Sequence, residues 1–369
     1  CKIFCHGAIL NTFNTNFFQL YLMKKLIIKS LFILPFVLLS QNPNPDSNIN
    51  DGPYIFLENN RLIEKNIENG KVITNNLNLD NFDTIFKPDK SYFSKVRKIV
   101  ALSDIHGQYD LAIELLRNNN VIDDKLNWDF GKGHLVIVGD IFDRGDQINE
   151  VLWFVYNLEI QAKKKGGRVH YLMGNHEYMV LQNDLRYINK KYKVTSKLLN
   201  IEYDKLYGNN TILGRWLRSK STIIKINDNI FVHGGISQDF ILQNGVDLDD
   251  LNKLMRINID TPKQELMSSD LYELYYGGKS LTWYRGYFKN YFRLYNEYLT
   301  ENDISKLLNQ LNSDHIIVGH CSFDNIVQFY NGKIYGVDSS IKKGKNGEVL
   351  LIKNKRFYRG NKKGNLMRL

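Results

Sequence analysis

The chain has 369 residues, 43% of them hydrophobic, which is enough to bury a substantial core and excludes an intrinsically disordered or fibrous protein. Its formal charge is +10 from 49 basic and 39 acidic residues, but Lys2, Lys24, Lys25 and Lys29 fall in the first 40 residues, where there is no acid; without them the balance is 45 against 39, or +6. So mild an excess, scattered and without RNP-like or zinc-finger spacing, argues against nucleic-acid binding.

Residues 1–22 begin with Cys and read as upstream sequence. From Met23 the pattern changes: Lys24 and Lys25, then "LIIKSLFILPFVLLS", then the polar "QNPNPDSN". A basic start, an apolar run and a polar junction are the marks of an export signal over residues 23–40, with cleavage after Ser40. The apolar run from Leu31 to Leu39 falls short of the ~20 residues a spanning helix needs. The expectation is a periplasmic or secreted protein with no stable membrane insertion after cleavage; an uncleaved anchor is the alternative, because Leu38 is not the small residue preferred before a cut. Two of the three cysteines, Cys1 and Cys5, precede Met23, so Cys321 is left as a lone thiol.

Residues 41–96 read as a linker followed by a small β extension, in which Asn-Asn and Asn-Gly interrupt β-prone runs and suggest a strand pair. The main domain spans residues 97–355. It opens with alternating strands and helices: "KIVALSD", the amphipathic "QYDLAIELLRNN", "HLVIVGD", a helix to Lys164, "GRVHYLMG" and a helix start at "NHEYMV". Such alternation predicts an α/β sheet with crossover helices. Helical, Tyr-rich stretches at residues 184–220 and 238–311 are expected to form a cap. Between them the hairpin "STIIKINDNIFVHGG" turns at Asn227-Asp228. The chain returns to β at "HIIVGH", "NIVQFY", "KIYGVDSS" and "GEVLLIKN", and residues 356–369 read as a basic tail.

Five apolar runs end alike. "IVALSD" leads to Asp104 and His106, "LVIVGD" to Asp140, "VHYLMG" to Asn175 and His176, "IFVH" to His233, and "IIVGH" to His320, each beside glycine. Ligands bind beyond the carboxyl ends of strands in open α/β sheets, so these side chains can converge. Imidazole, carboxylate and amide oxygen without thiolate suit hard to borderline metals. His134, His170 and His315 come before or early in their strands, where a structural role is expected. Cys321 reads as a small buried residue, Glu177 as a structural acceptor, and Asp338 in "GVDSS" as a residue near the site without an assignable role.

The ordered set D-x-H, G-D-x-x-D-R-G, G-N-H-E, V-H-G-G and G-H resembles the calcineurin-like metallophosphoesterases and, within them, the phosphoprotein phosphatases. "LGRWLRSK" and "LTWYRGYF" resemble more particularly the bacterial-type, Shewanella-like branch. This resemblance implies an α/β fold, a four-layer α/β/β/α sandwich of mixed sheets. It also implies two divalent metal ions, manganese foremost with iron or zinc as alternatives: Asp104, His106 and Asp140 would hold one, and Asp140, Asn175, His233 and His320 the other. It further implies in-line attack by a metal-bridging hydroxide, His176 as general acid oriented by Asp143, and Arg144 and Arg285 as phosphoryl clamps. Met173 stands where the better-known eukaryotic members have Arg, and no "SAPNY"-like segment follows His320, so substrate choice stays open. The expected substrate is a phosphorylated protein, peptide or small phosphoester, on Ser, Thr or Tyr. The rivals are a nucleotide or symmetrical dinucleoside polyphosphate hydrolase and a secreted binding module without turnover. The sequence specifies no oligomeric state.

Overall fold

A computed structural model describes residues 48–289 and 299–369. The expected leader, residues 1–22 and 23–40, and residues 290–298 of the expected cap lie outside the described residues. Among the described residues no helix is long and apolar enough to cross a membrane.

The N-terminal extension is a three-stranded antiparallel meander rather than a strand pair: β1 (Asp51–Glu58), β2 (Arg61–Glu68) and β3 (Lys71–Leu77). Its two turns carry the left-handed residues that tight hairpins require, Asn59 and Asn60 in the first and Asn69 and Gly70 in the second. The third strand has no buried face, which is why its sequence lacks the alternation that marks a strand. β1 is part of the core: Tyr54, Ile55 and Phe56 are buried, and the Trp153 indole donates to the Pro53 carbonyl at 2.9 Å.

Two six-stranded mixed sheets follow. One has the order β15-β14-β13-β5-β6-β7, built from β5 (Lys98–Leu102), β6 (His134–Ile137), β7 (Arg168–Tyr171), β13 (Glu348–Lys353), β14 (Arg356–Asn361) and β15 (Leu366–Arg368). The other runs β11-β12-β10-β9-β8-β4, from β4 (Tyr92–Phe93), β8 (Ile223–Ile226), β9 (Asn229–Val232), β10 (His315–Val318), β11 (Val327–Phe329) and β12 (Ile334–Gly336). Alternate strand residues separate the layers. Ile99, Ala101 and Val136 of the first sheet pack with Ile224, Phe231 and Ile317 of the second, while Val100, Leu102, Leu135 and Ile137 face the helices. Burial on both faces explains why these strands read as unbroken apolar runs.

The helices between strands are α1 (Tyr109–Asn118), α2 (Ile148–Lys164) and α3 (Asn175–Leu181). The first part of the expected cap holds α4 (Lys190–Leu199) and α5 (Ile212–Arg218); it packs against the meander and α2, with Trp216 of α5 against Tyr156 and Tyr171. The second part begins with α6 (Gln238–Asn244), α7 (Leu248–Ile257), α8 (Lys263–Leu266) and α9 (Leu271–Tyr276). There α7 covers β8, and α9 meets α3 through Tyr275 and Tyr178. A last helix, α10 (Glu301–Gln310), precedes β10. Most of the region expected as a cap therefore forms side layers of the sandwich.

Residues 356–369, expected as a basic tail, are strands. A turn at Asn354 and Lys355, both left-handed, folds β14 back on β13, and β15 pairs with β14. Phe357 is buried and stacks on Tyr335 at 4.4 Å, so the end of the chain contributes to the core between the sheets. His134 and His315 open their strands as expected, whereas His170 is the third of four residues in β7. His170 and His134 are hydrogen-bonded to each other at 2.9 Å, and His315 bonds to the Gly332 carbonyl.

Candidate metal centre and active site

The residues that follow the carboxyl ends of β5, β6, β7, β9 and β10 meet at one rim, where the two sheets lie side by side. To turn side chains inward at the strand ends, the chain uses left-handed backbone at Asp104 (φ 53°), His106 (46°), Asp140 (62°), Asp143 (70°), Arg144 (68°) and His320 (64°). Non-glycine residues held there cost on the order of 1 kcal/mol or more each, and such strain persists where the surroundings over-determine it. Two glycines permit the close approach. A Cβ on Gly139, itself at φ 82°, would stand 2.6 Å from His233 Nδ1, and one on Gly174 would collide with the Asp140 carboxylate.

Asp140 lies at the centre, buried, with Oδ2 at 3.1 Å from His233 Nε2, 3.6 Å from His106 Nε2 and 3.9 Å from His176 Nε2. Asn175 Oδ1 lies 2.9 Å from His233 Nε2, and Asp104 Oδ1 lies 3.8 Å from His106 Nε2. Donor atoms bound to one ion at about 2.1 Å are separated by about 3 Å when adjacent and up to about 4.2 Å when opposite, so these spacings are those of ligands that could share cations.

The protonation pattern favours cations as well. His106 Nδ1 bonds to the Phe142 carbonyl at 2.6 Å and His233 Nδ1 to the Val138 carbonyl at 2.7 Å. A carbonyl only accepts, so both Nδ1 atoms carry the proton and both Nε2 atoms turn a lone pair toward the cluster when neutral. His320 Nε2 is buried and has no hydrogen-bond partner among the described residues. Burial, then Arg285 and His233, hold the His320 imidazole well below its ordinary range, and burial does the same to His106. For His233 burial works against charge, yet Asp140 outweighs it and pushes the imidazole up to about 9. The pocket therefore attracts positive charge while keeping two of its imidazoles neutral, as metal ligands must be. Two triads of donor atoms are close enough to hold an ion: His106, Asp140 and His176, and Asp140, His233 and His320.

His176 Nδ1 lies 2.5 Å from Asp143 Oδ2, both groups buried. Arg144 is exposed, its Nε donates to His106 Nε2 at 3.2 Å, and its guanidinium lies 5.7 Å from the Tyr187 ring. Arg285 is half-buried beside His320 and Cys321. Cys321 is a buried free thiol pushed up to about 12 by burial, in keeping with a packing role. Glu177 is a backbone acceptor: its carboxylate takes the N–H groups of Asp140, Ile141, Phe142 and Gly174 at 2.7–3.3 Å.

Three further side chains border the site. The Tyr187 ring lies 5.4 Å from that of His176, and the Trp283 ring meets His320 edge-on at 5.5 Å. Lys342 Nζ lies 2.8 Å from Asp338 Oδ2 and 3.5 Å from Asp104 Oδ1. Asp338 is also bonded by Ser322 Oγ and the Ser340 N–H; burial, then Asp104, push it up to about 6. "GVDSS" signalled Asp338, but nothing in the sequence signalled Lys342.

Residues 97–321 match the model of the calcineurin-like phosphoesterases. The chain belongs to this family. Calcineurin-like phosphoesterases are metal-dependent enzymes with dinuclear centres, and the buried His and Asp groups of this phosphoesterase fit such a centre. Its fold is similar to that of a cold-active protein tyrosine phosphatase solved at 1.1 Å, with a TM-score of 0.81 and 42% identity over 87% of this chain and 97% of that one. A cold-active protein-tyrosine phosphatase of a psychrophilic Shewanella species gives a TM-score of 0.80 and the same 42% identity, covering 87% and 99%. Among curated proteins, Shewanella-like protein phosphatase 1 of Plasmodium berghei is 27% identical over 63% of this chain and 65% of its own length. Shewanella-like protein phosphatase 2 of Arabidopsis thaliana is 27% identical over 40% and 49%. The chain thus spans less than two thirds of the length of these curated relatives.

Proposed function

We propose that this phosphoesterase hydrolyses phosphomonoesters carried by proteins or peptides, with Asp104, His106 and Asp140 holding one divalent cation and Asp140, Asn175, His233 and His320 a second. The oxygen and nitrogen donors suit manganese, with iron or zinc as alternatives. A cation pair supplies Lewis-acid activation of water and neutralises charge on the phosphoryl group.

The observation that carries the reading is the buried contact between His176 and Asp143 at the edge of the donor cluster. Asp143 takes the Nδ1 proton, so Nε2 is the atom that delivers a proton to the departing oxygen. Burial opposes charge on His176, but Asp140 and then Asp143 outweigh it and raise the imidazole above its ordinary value, which favours the proton-carrying form. A proton held in place in this way contributes about 10²–10⁴-fold. Arg144 lies beside His106 and Arg285 beside His320, and a planar guanidinium can meet two phosphoryl oxygens at once. Likeness to protein tyrosine phosphatases at 42% identity, with Tyr187 and Trp283 bordering the site, supports a phosphoprotein substrate and favours phosphotyrosine. The leader pattern at residues 23–40 supports action outside the cytoplasm.

A panel of phosphotyrosine peptide, phosphoserine peptide and diadenosine tetraphosphate tests the reading. Turnover of a phosphopeptide, abolished by chelator and restored by manganese, is expected. Turnover confined to diadenosine tetraphosphate would replace it with the nucleotide reading.

A further inference from the structure

Beside the metal centre the chain assembles a basic groove that hydrolysis of a phosphoryl group does not require. Lys343 and Lys345 come from the loop before β13, and Lys362 and Lys363 from the β14–β15 turn; pairing of β13, β14 and β15 brings the two segments to one cavity of about 590 Å³. One residue links the groove to the site. The residue before Lys343 is Lys342, whose ammonium stands 3.5 Å from Asp104, and the Lys342 carbonyl accepts from Gln108, two residues beyond His106. Ser339 and Ser340, which follow Asp338, form part of the wall.

The charge here is unbalanced. Among the described residues Asp324 is the one exposed acid in the lining, and it lies 3.9 Å from Lys343. The Glu348 carboxylate is buried and committed to the Ile326 N–H at 2.9 Å. Among the described residues no carboxylate lies within ion-pair distance of Lys345, Lys362 or Lys363, and the Lys362 ammonium donates instead to the Lys345 carbonyl at 3.0 Å. Like charges gathered from two distant segments repel one another, and an arriving anion relieves that repulsion. A concave wall concentrates this field where a flat, solvated lysine face would spread it.

We infer that this groove docks an acidic segment of the phosphoprotein substrate, adjacent in its sequence to the phosphorylated residue, while the phosphoryl group occupies the metal centre. The inference rests on the proposed phosphatase reading and adds selection among phosphoproteins by their flanking carboxylates. These contacts are exposed, so each contributes modestly and is weakened by salt.

The test uses two phosphotyrosine peptides that differ only in carrying three aspartates or three alanines beside the phosphotyrosine, made with the run on either side. At low ionic strength kcat/KM should favour the acidic peptide by about tenfold in one of the two orientations, falling to about twofold or less near 0.5 M salt. The combined variant Lys343→Glu, Lys345→Glu, Lys362→Glu and Lys363→Glu should lose that preference while hydrolysing p-nitrophenyl phosphate like the unaltered protein. Equal kcat/KM for the two peptides at low salt, or a preference that survives the combined variant, overturns the inference. Absence of p-nitrophenyl phosphate hydrolysis by the manganese-loaded protein would remove the phosphatase reading itself, and the docking role with it.

Discussion

Glu177 accepts the backbone N–H of Asp140 at 2.8 Å, so one buried carboxylate fixes the backbone that presents another to the metal centre. The same group takes the N–H of Gly174 at 2.7 Å and of Ile141 at 2.7 Å, tying the loop after β6 to the start of α3. Replacing Glu177 with Gln turns an amide donor toward N–H groups that have no other partner among the described residues. The expected loss is about 2–4 kcal/mol of unfolding free energy, measured by urea denaturation. A change below about 0.5 kcal/mol, the range of an ordinary surface substitution, would mean that this clamp does not hold the loop.

His176→Ala should slow hydrolysis of phosphotyrosine peptide by about 10²–10⁴-fold while bound metal stays near two ions per chain. The loss should be smaller for p-nitrophenyl phosphate, whose leaving group departs without much help from an acid. Asp143→Asn should slow the peptide reaction in the same sense, because the neutral amide replaces the charged acceptor that holds the Nδ1 proton at 2.5 Å. If His176→Ala instead sheds metal, the triad of His106, Asp140 and His176 is a ligand set and the acid role is misassigned.

His134 and His170 provide a pH prediction away from the metal centre. Burial holds the His134 imidazole down at about 4 and His170 well below its ordinary value. A folded-state pKa below the unfolded value means that the unfolded chain takes up the proton first. Stability is therefore lost as pH falls from the unfolded value of about 6.5 toward about 4, by the order of 2 kcal/mol from His134. Unfolding free energies measured across this range should fall less steeply for His134→Asn than for the unaltered protein. Parallel pH profiles would show that the buried pair is not the source.

Much of the site was legible because of where its residues sit. Asp104, Asp140, Asn175, His233 and His320 each follow an apolar run at its carboxyl end, and a sheet buried on both faces leaves such runs unbroken. His134, His170 and His315 were separable from them by the same reasoning. What escaped depended on partners distant in sequence. β3 is solvated on both faces and shows no alternation. β14 and β15 are short, basic and completed by pairing with β13, so they read as a tail until Phe357 is seen against Tyr335. Lys342 lies far along the chain from Asp104, and the segment between β12 and β13 brings its ammonium to that carboxylate. Helical sequence at residues 184–220 was visible, but its placement against the meander follows from the shape of the core, which local periodicity does not encode.

On the proposed reading, side chains from five strand ends share a pair of cations with Asp140 as the common ligand. Elemental analysis of purified, metal-reconstituted protein and of Asp140→Asn tests it directly, with His134→Asn as the control outside the site. About two divalent ions per chain are expected in the unaltered protein and in the control, and fewer than about one in Asp140→Asn. Two ions retained by Asp140→Asn, or none bound by the unaltered protein, would contradict it.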